Sequence, residues 1–195
     1  VKVVLATRNA GKLREVRAIL AGLPFELVPL TDDVALPPEG DVYEANAIDK
    51  ALAAARATGC LAIADDSGLE VDALGGAPGP RSARYGPDDA TRNARLLAAL
   101  AEVPDPARGA RFVCVAAWAT PDGRSGTARG VCEGRILHAT SGAGGFGYDP
   151  IFGVGTGAAM RSMAELPAAE KDAVSHRGRA FRALAASLPR IEAVR

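Results

Sequence analysis

Val1-Lys2-Val3-Val4-Leu5-Ala6, then Thr7-Arg8-Asn9-Ala10-Gly11-Lys12, then Leu13 to Leu20 decide the fold class. The first run is short, apolar and β-branched, which reads as a buried strand. Polar residues and Gly11 break it. Leu13, Val16, Ile19 and Leu20 then recur at helical spacing. Strand, polar turn, helix is the opening unit of an α/β sheet. Outward from it, Phe25–Leu30 reads as a second strand, and Pro37 and Pro38 mark Asp32–Gly40 as a loop. Asp41–Ala57 is Ala-rich without Gly or Pro and reads as a long helix. Leu61–Ala64 is a short buried strand running into Asp65-Asp66-Ser67-Gly68, with another strand over Glu70–Leu74 and a Gly/Pro loop over Gly75–Pro80. Asp88–Ala101 reads as helix. Arg111–Ala119 and Gly126–Leu137 read as paired strands around a Pro121-Asp122-Gly123 turn. Ala139–Gly157 is a glycine-rich loop, and Pro167–Leu188 is helix interrupted near Ser175 and Gly178. The expected fold is a single α/β domain over residues 1–195, two-lobed, with a mixed sheet flanked by helices.

Composition narrows the function. Of 195 residues 48% are hydrophobic, enough for a sizeable core. Lys plus Arg is 23 and Asp plus Glu is 23, so the chain lacks the excess charge of a general nucleic-acid coater. No apolar run approaches the roughly 18 residues of a membrane span. The longest, Phe112–Ala119, is strand-sized, and no signal-peptide pattern is visible. Cys60, Cys114 and Cys132 are odd in number and widely spaced, which disfavours a disulfide framework and points to the cytosol. Cys60 and Cys114 read as buried small side chains.

Four segments carry chemistry. Thr7–Lys12 joins a strand to a helix, where free amides, Thr and Asn side chains, a Gly and a Lys suit a phosphate. It is not a Walker A loop: Ala6 stands where that motif has Gly, and Leu13 where it has Ser or Thr. The plainer reading is that Asn9 caps a helix and Lys12 is solvated. Asp65-Asp66-Ser67-Gly68 sets two carboxylates side by side, which repel unless a cation neutralises them. Mg²⁺ bound with substrate phosphates, or a carboxylate taking a proton from water, fits that pair. An Asp-Ser-Gly turn is the alternative. In Gly142–Pro150, Phe146 and Tyr148 stand among glycines. A planar ring could stack on either and a base edge could bond Asp149, or the aromatics merely pin a tight loop. In Glu170–Gly178, Ser175 reads as a helix N-cap, which places the basic pair His176-Arg177 in a first turn where positive charge is disfavoured. A surface His-Arg pair is the plain alternative, and His138 reads as a surface residue.

Together these segments resemble the inosine triphosphate pyrophosphatase family. The matching residues are Thr-x-Asn-x-x-Lys at 7–12, Asp-Asp-Ser-Gly-Leu at 65–69, Leu-Gly-Gly-x-Pro-Gly at 74–79 and Ser-Ala-Arg-Tyr at 82–85. Gly-Gly-Phe-Gly-Tyr-Asp-Pro-Ile-Phe at 144–152, Ala-Glu-Leu at 164–166 and Glu-Lys-x-x-x-Ser-His-Arg-Gly at 170–178 follow in order. The resemblance implies an elongated, two-lobed α/β homodimer that uses Mg²⁺ to hydrolyse ITP, dITP and XTP to the monophosphate and pyrophosphate. Thr7, Arg8, Asn9, Ala10, Gly11 and Lys12 would bind the triphosphate. Asp66 would bind metal and activate water, with Lys50 near the phosphates and Ser67 touching substrate. Phe146, Gly147, Tyr148, Asp149, Lys171, His176 and Arg177 would surround the base. The chain departs from the family at Pro37-Pro38-Glu39-Gly40, where Glu39 alone remains as a second metal ligand, and at Arg161, which stands at a family lysine position. A Maf-like pyrophosphatase and a nucleotide-binding module without catalysis are the competing readings.

Overall fold

A computed structural model describes residues 1–189. Strand β1 (Lys2–Leu5) leads through the Thr7–Asn9 turn into helix α1 (Ala10–Ile19), then β2 (Glu26–Pro29) and α2 (Tyr43–Thr58). Next come β3 (Leu61–Val71), β4 (Pro78–Gly79), α3 (Asp89–Ala99), β5 (Gly109–Ala119) and β6 (Ser125–Ile136). Strands β7 (Phe152–Val154) and β8 (Arg161–Ser162) and helices α4 (Ala168–Val174) and α5 (His176–Ser187) complete the order. The sheet runs β2-β1-β3-β5-β6-β7-β8, with β4 beside β3. It is mixed: β1 pairs parallel with β2 and β3, whereas β3–β4, β6–β7 and β7–β8 are antiparallel.

The mixed α/β expectation agrees with this architecture; several details differ. Helix α1 starts at Ala10, not Leu13, because Asn9 caps it: its Oδ1 accepts from Lys12 N–H at 3.1 Å. Leu61–Ala64 and Glu70–Leu74 are not separate strands. One strand runs from Leu61 to Val71 straight through Asp65-Asp66-Ser67-Gly68, and residues 72–74 form a 3₁₀ turn. Strand β3 lies in the sheet between β1 and β5, and this pairing outweighs the turn preference of Asp-Ser-Gly, a tertiary effect that local chemistry does not report. The segments read as loops at 75–80 and 139–157 contain β4 and β7. The last helix breaks at Ser175, as expected, but Gly178 lies inside α5. Cys60 is half-buried, unlike Cys114, because it lies just before β3 begins.

The chain divides into two compact units. Among the described residues the first holds 1–66, 114–130 and 176–189; the second holds 67–113 and 131–175. In the first unit, Val3, Leu5, Ile63, Cys114 and Ala116 pack with Val16 and Leu20 of α1 and Phe181 and Leu184 of α5. Side chains alternate along a strand, so β3 turns Ile63 and Asp65 to this face and Ala62, Ala64 and Asp66 to the other. Helix α2 serves the other face with fully buried alanines at 47, 51, 54 and 55. In the second unit, Leu69, Val71, Phe112, Ile136 and Phe152 form a core with Leu96 and Leu100, on and just after α3, and with Met163. Among the described residues no helix is long and apolar enough to cross a membrane.

Candidate active site

In the first unit β1 ends at Leu5 while β3 continues. Asp65 and Asp66 therefore sit mid-strand, where the neighbouring strand has already turned away into Thr7–Lys12. Being consecutive, they point to opposite faces and avoid each other. Both are almost completely buried, a placement that requires partners.

Asp65 faces α1 and α5. Lys12 Nζ stands 2.9 Å from its Oδ2, and Arg177 Nε stands 3.5 Å from the same oxygen. The Cys114 thiol donates to it at 3.8 Å. Burial alone would raise its pKa; Lys12, Arg177 and Lys50 reverse this and hold the carboxyl far below the usual carboxylate range. Burial next to Asp65 pushes the Cys114 thiol up, so it stays protonated. Arg177 also pairs with Glu15 at 2.5 Å. The two acids explain how a buried arginine is tolerated in the first turn of α5. Lys12 is thus paired, not solvated, and Arg177 stands in an ion cluster.

Asp66 faces α2. Asn46 Nδ2 donates to its Oδ2 at 2.7 Å, and Lys50 Nζ lies 3.5 Å from Oδ1. Asn46 and Lys50 are four residues apart, on one face of the helix. Lys50 Nζ also donates to Glu39 Oε1 at 2.7 Å. Asn46 brings Glu39 there: it accepts from Gly40 N–H at 2.7 Å and donates to Gly40 C=O at 3.1 Å, which fastens the Pro37–Gly40 loop to α2. Burial raises the Asp66 pKa, Lys50 and Asn46 oppose this, and Glu39 adds to it; the net shift is upward. Burial would lower the Lys50 pKa, but Asp65, Asp66 and Glu39 raise it. Two adjacent aspartates thus have opposite characters. One is a permanent anion that anchors cations; the other is poised to take a proton.

Of the remaining turn residues, Thr7 Oγ1 accepts from Asn9 N–H at 3.2 Å. Arg8 bonds the carbonyls of Asp32 at 3.2 Å and Val34 at 2.9 Å, securing the adjacent loop. Ala10 is exposed and Gly11 buried. His176 is buried at the start of α5. Strand β6 presses on it so closely that a Cβ at Gly130 would fall 2.1 Å from the His176 carbonyl oxygen. Gly130→Ala is therefore expected to destabilise the protein by about 1–3 kcal/mol through overpacking, read as a lowered melting temperature.

The second unit gathers the other predicted residues. Asp149 Oδ2 accepts from Phe146 N–H at 2.8 Å and pairs with Lys171, all within the buried or half-buried layer. Lys171 Nζ lies 5.1 Å from the Phe146 ring centroid, a cation–π distance. Gly145 has φ +71°, and a Cβ there would stand 2.0 Å from Asp149 Oδ2, so only glycine lets the loop close on the carboxylate. Tyr148 is a buried anchor whose hydroxyl donates to Ser82 C=O at 2.9 Å. Ser67, half-buried in β3, belongs to this unit. Arg161 pairs with Glu170 at the surface, and His138 with Asp105 at 2.6 Å.

Sequence reasoning missed Asn46, Glu15, Asp89 and Asn93. For Asn46 and Glu15 a signal existed. Asn46 is a polar residue four before Lys50, and Glu15 lies three after Lys12, so each shares a helix face with a named lysine.

Fold and clusters define a mixed α/β protein with one polar centre of paired carboxylates and lysines and a second of aromatic, acid and lysine. The Ham1 family profile matches residues 3–187, and the chain belongs to that family. A dITP/XTP pyrophosphatase of Symbiobacterium thermophilum is 50% identical over 190 residues, covering 96% of this chain and 95% of that one. The dITP/XTP pyrophosphatase of Streptomyces coelicolor is 50% identical over 193 residues, covering 94% of each. Among solved structures, a HAM1 protein from Coxiella burnetii superposes with a TM-score of 0.85 at 41% identity, covering 96% of this chain and 98% of that one.

Proposed function

We propose that this chain is a nucleoside triphosphate pyrophosphatase that hydrolyses ITP, dITP and XTP to the monophosphate and pyrophosphate. Family membership over nearly the whole chain supports the reaction class. The observation that carries the mechanism is the different partnering of the two carboxylates: Lys12 at 2.9 Å and Arg177 at 3.5 Å converge on Asp65, whereas Asp66 takes the Asn46 amide at 2.7 Å and the Lys50 ammonium at 3.5 Å. Asp66 takes the proton as water attacks phosphorus; the P–O bond to pyrophosphate breaks, and the pyrophosphate leaves with that electron pair. Lys12, the amides at the start of α1 and Lys50 receive the phosphates. Asp65, with Arg177, holds Lys12 in place. The base would fall to the second cluster, with Phe146 for stacking and Lys171 and Asp149 for the polar edge; the resemblance adds His176 as a donor to the 6-oxo group. A donor there leaves adenine's amino group without an acceptor, a mismatch that discriminates strongly.

The donor set fits a magnesium ion. Asp66 and Glu39 converge on one ammonium, that of Lys50, so two carboxylates already share a cationic point. Mg²⁺ takes one or two carboxylates and completes its shell with water and phosphate oxygens. Asp66 and Glu39 would hold it, and it would supply charge neutralisation on the phosphate oxygens. Glu39→Gln is expected to raise the Mg²⁺ concentration for half-maximal rate about tenfold or more. An unchanged magnesium titration removes Glu39 from the metal site.

The direct test is pyrophosphate release with Mg²⁺ from ITP, XTP, GTP and ATP side by side. Strong release from ITP and XTP with little from GTP and ATP is the expected result. ITP binding without release from any of them would make the chain a binding module, and release from modified pyrimidine triphosphates instead would favour the Maf-like reading. The homodimer and the cytoplasmic location belong to the same proposal, the latter supported by cysteines that are odd in number and widely spaced. Light scattering is expected to give twice 19.9 kDa, and a mass of 19.9 kDa would overturn the dimer.

A further inference from the structure

Gly147 is gripped from one helix. Its N–H donates to Asp89 Oδ2 at 2.7 Å, and its C=O accepts from Asn93 Nδ2 at 3.0 Å. Asp89 and Asn93 are four residues apart near the start of α3, so they share a face and hold both polar ends of one glycine. Asp89 is itself fixed: its other oxygen pairs with Arg92, whose Nη1 donates to Ala83 C=O at 2.9 Å and Gly86 C=O at 3.0 Å. Asn93 is 95% buried by side and main chain, and its Oδ1 finds no hydrogen-bond partner among the described residues. A buried amide with one end unsatisfied is costly; here the other end bonds the turn.

Packing does not do the same work on this side. A Cβ at Gly147 would touch nothing within 4 Å. Asp89, Asn93, Phe146 and Gly147 all line one open cavity of about 480 Å³. Glycines 142, 144 and 145 pack closely on Ala164 and Asp149, so Gly147, with φ +66°, is the glycine of the turn that packing leaves open. With a void behind it, the turn keeps its place through the hydrogen bonds of α3 as well as those of Asp149 and Tyr148.

We propose that Asp89 and Asn93 are positioning residues that fix where the Phe146–Asp149 turn presents its ring and carboxylate, and that they thereby set selectivity for the purine base. This rests on the reading above in which that turn holds the base. In this reading both act through Gly147, whose N–H and C=O they hold. Their loss therefore changes binding and discrimination and spares the phosphate chemistry, whose residues belong to the other unit.

The test is steady-state pyrophosphate release from ITP and GTP by wild type, Asp89→Ala, Asp89→Asn and Asn93→Asp, with melting temperatures alongside. The Asp89 side chain is 46% exposed, so its replacement is compatible with folding. Asp89→Ala and Asn93→Asp are expected to raise KM for ITP about tenfold with kcat within about twofold, and to shrink the ITP-to-GTP ratio of kcat/KM several-fold. Asp89→Asn keeps an acceptor for Gly147 N–H and is expected to restore KM. An Asp89→Ala enzyme with wild-type KM and wild-type ratio overturns the proposal. So does one in which kcat falls equally for both substrates at unchanged KM, since that is a general structural effect. A wild-type protein that releases no pyrophosphate from ITP overturns the function reading first, and this proposal with it.

Discussion

Asp66→Asn is expected to abolish pyrophosphate release while leaving the fold intact. The amide keeps the shape of the carboxylate, and its oxygen still accepts from Asn46 Nδ2, which stands 2.7 Å from the present Oδ2. It cannot take a proton from water. A general base contributes about 10²–10⁴-fold, so a loss on the order of 10³-fold is the expected effect, read as kcat at saturating ITP. Stability moves the other way. Burial holds the folded-state pKa of Asp66 above its ordinary value, so its ionisation opposes folding, and that penalty is present once the pH exceeds the raised pKa. An uncharged amide does not incur it, and the melting temperature at neutral pH is expected to be equal or higher. A variant that keeps near-normal turnover removes Asp66 as the base.

One residue earlier the expectation reverses. Asp65→Asn is expected to destabilise the protein strongly. Lys12 at 2.9 Å and Arg177 at 3.5 Å converge on one buried oxygen. Without the carboxylate, Lys12 keeps a charge with no counter-charge at that point, and Arg177 retains only its pair with Glu15. Removing one partner of a buried ion cluster costs about 3–5 kcal/mol, which for a chain of this size is a fall of roughly 10 °C in melting temperature. Turnover falls as well, because Lys12 loses the anchor that aims it. Calorimetry on the two single variants separates the roles: a drop for Asp65→Asn with none for Asp66→Asn. Equal melting temperatures would mean that Asp65 is not the anchor described.

The contrast shows what the sequence made legible. Val1–Ala6 followed by Thr7–Lys12 gave the strand-turn-helix opening because apolar spacing and turn chemistry are local properties. The Asp-Asp pair, the aromatic glycine loop and the Ser-His-Arg segment stood out because each breaks a local rule: adjacent like charges, aromatics among glycines, cations at a helix start. What broke each rule's penalty was not local. Asp65 and Asp66 escape mutual repulsion because β3 runs through them and turns them to opposite faces, which the reading of Asp-Ser-Gly as a turn could not show. The counter-charge of Arg177, Glu15, lies 162 residues away in sequence, so no local pattern reports it. Nothing local marks Asn93 and Asp89, since only the return of the glycine-rich segment to α3 gives them Gly147. Tyr148 fits the anchoring alternative through a bond to the carbonyl of Ser82, 66 residues earlier, which no local pattern reports.

The central claim is cleavage of the α–β phosphoanhydride of a 6-oxo purine triphosphate, and its products test it most directly. Purified protein with ITP and Mg²⁺, free of any other phosphatase, is assayed by chromatography for IMP and by separate quantitation of pyrophosphate and orthophosphate. The account predicts IMP and pyrophosphate in equal amounts, with no orthophosphate or IDP. IDP and orthophosphate as products would place the cut at the terminal phosphate and contradict the roles assigned to Asp66, Lys12 and Lys50.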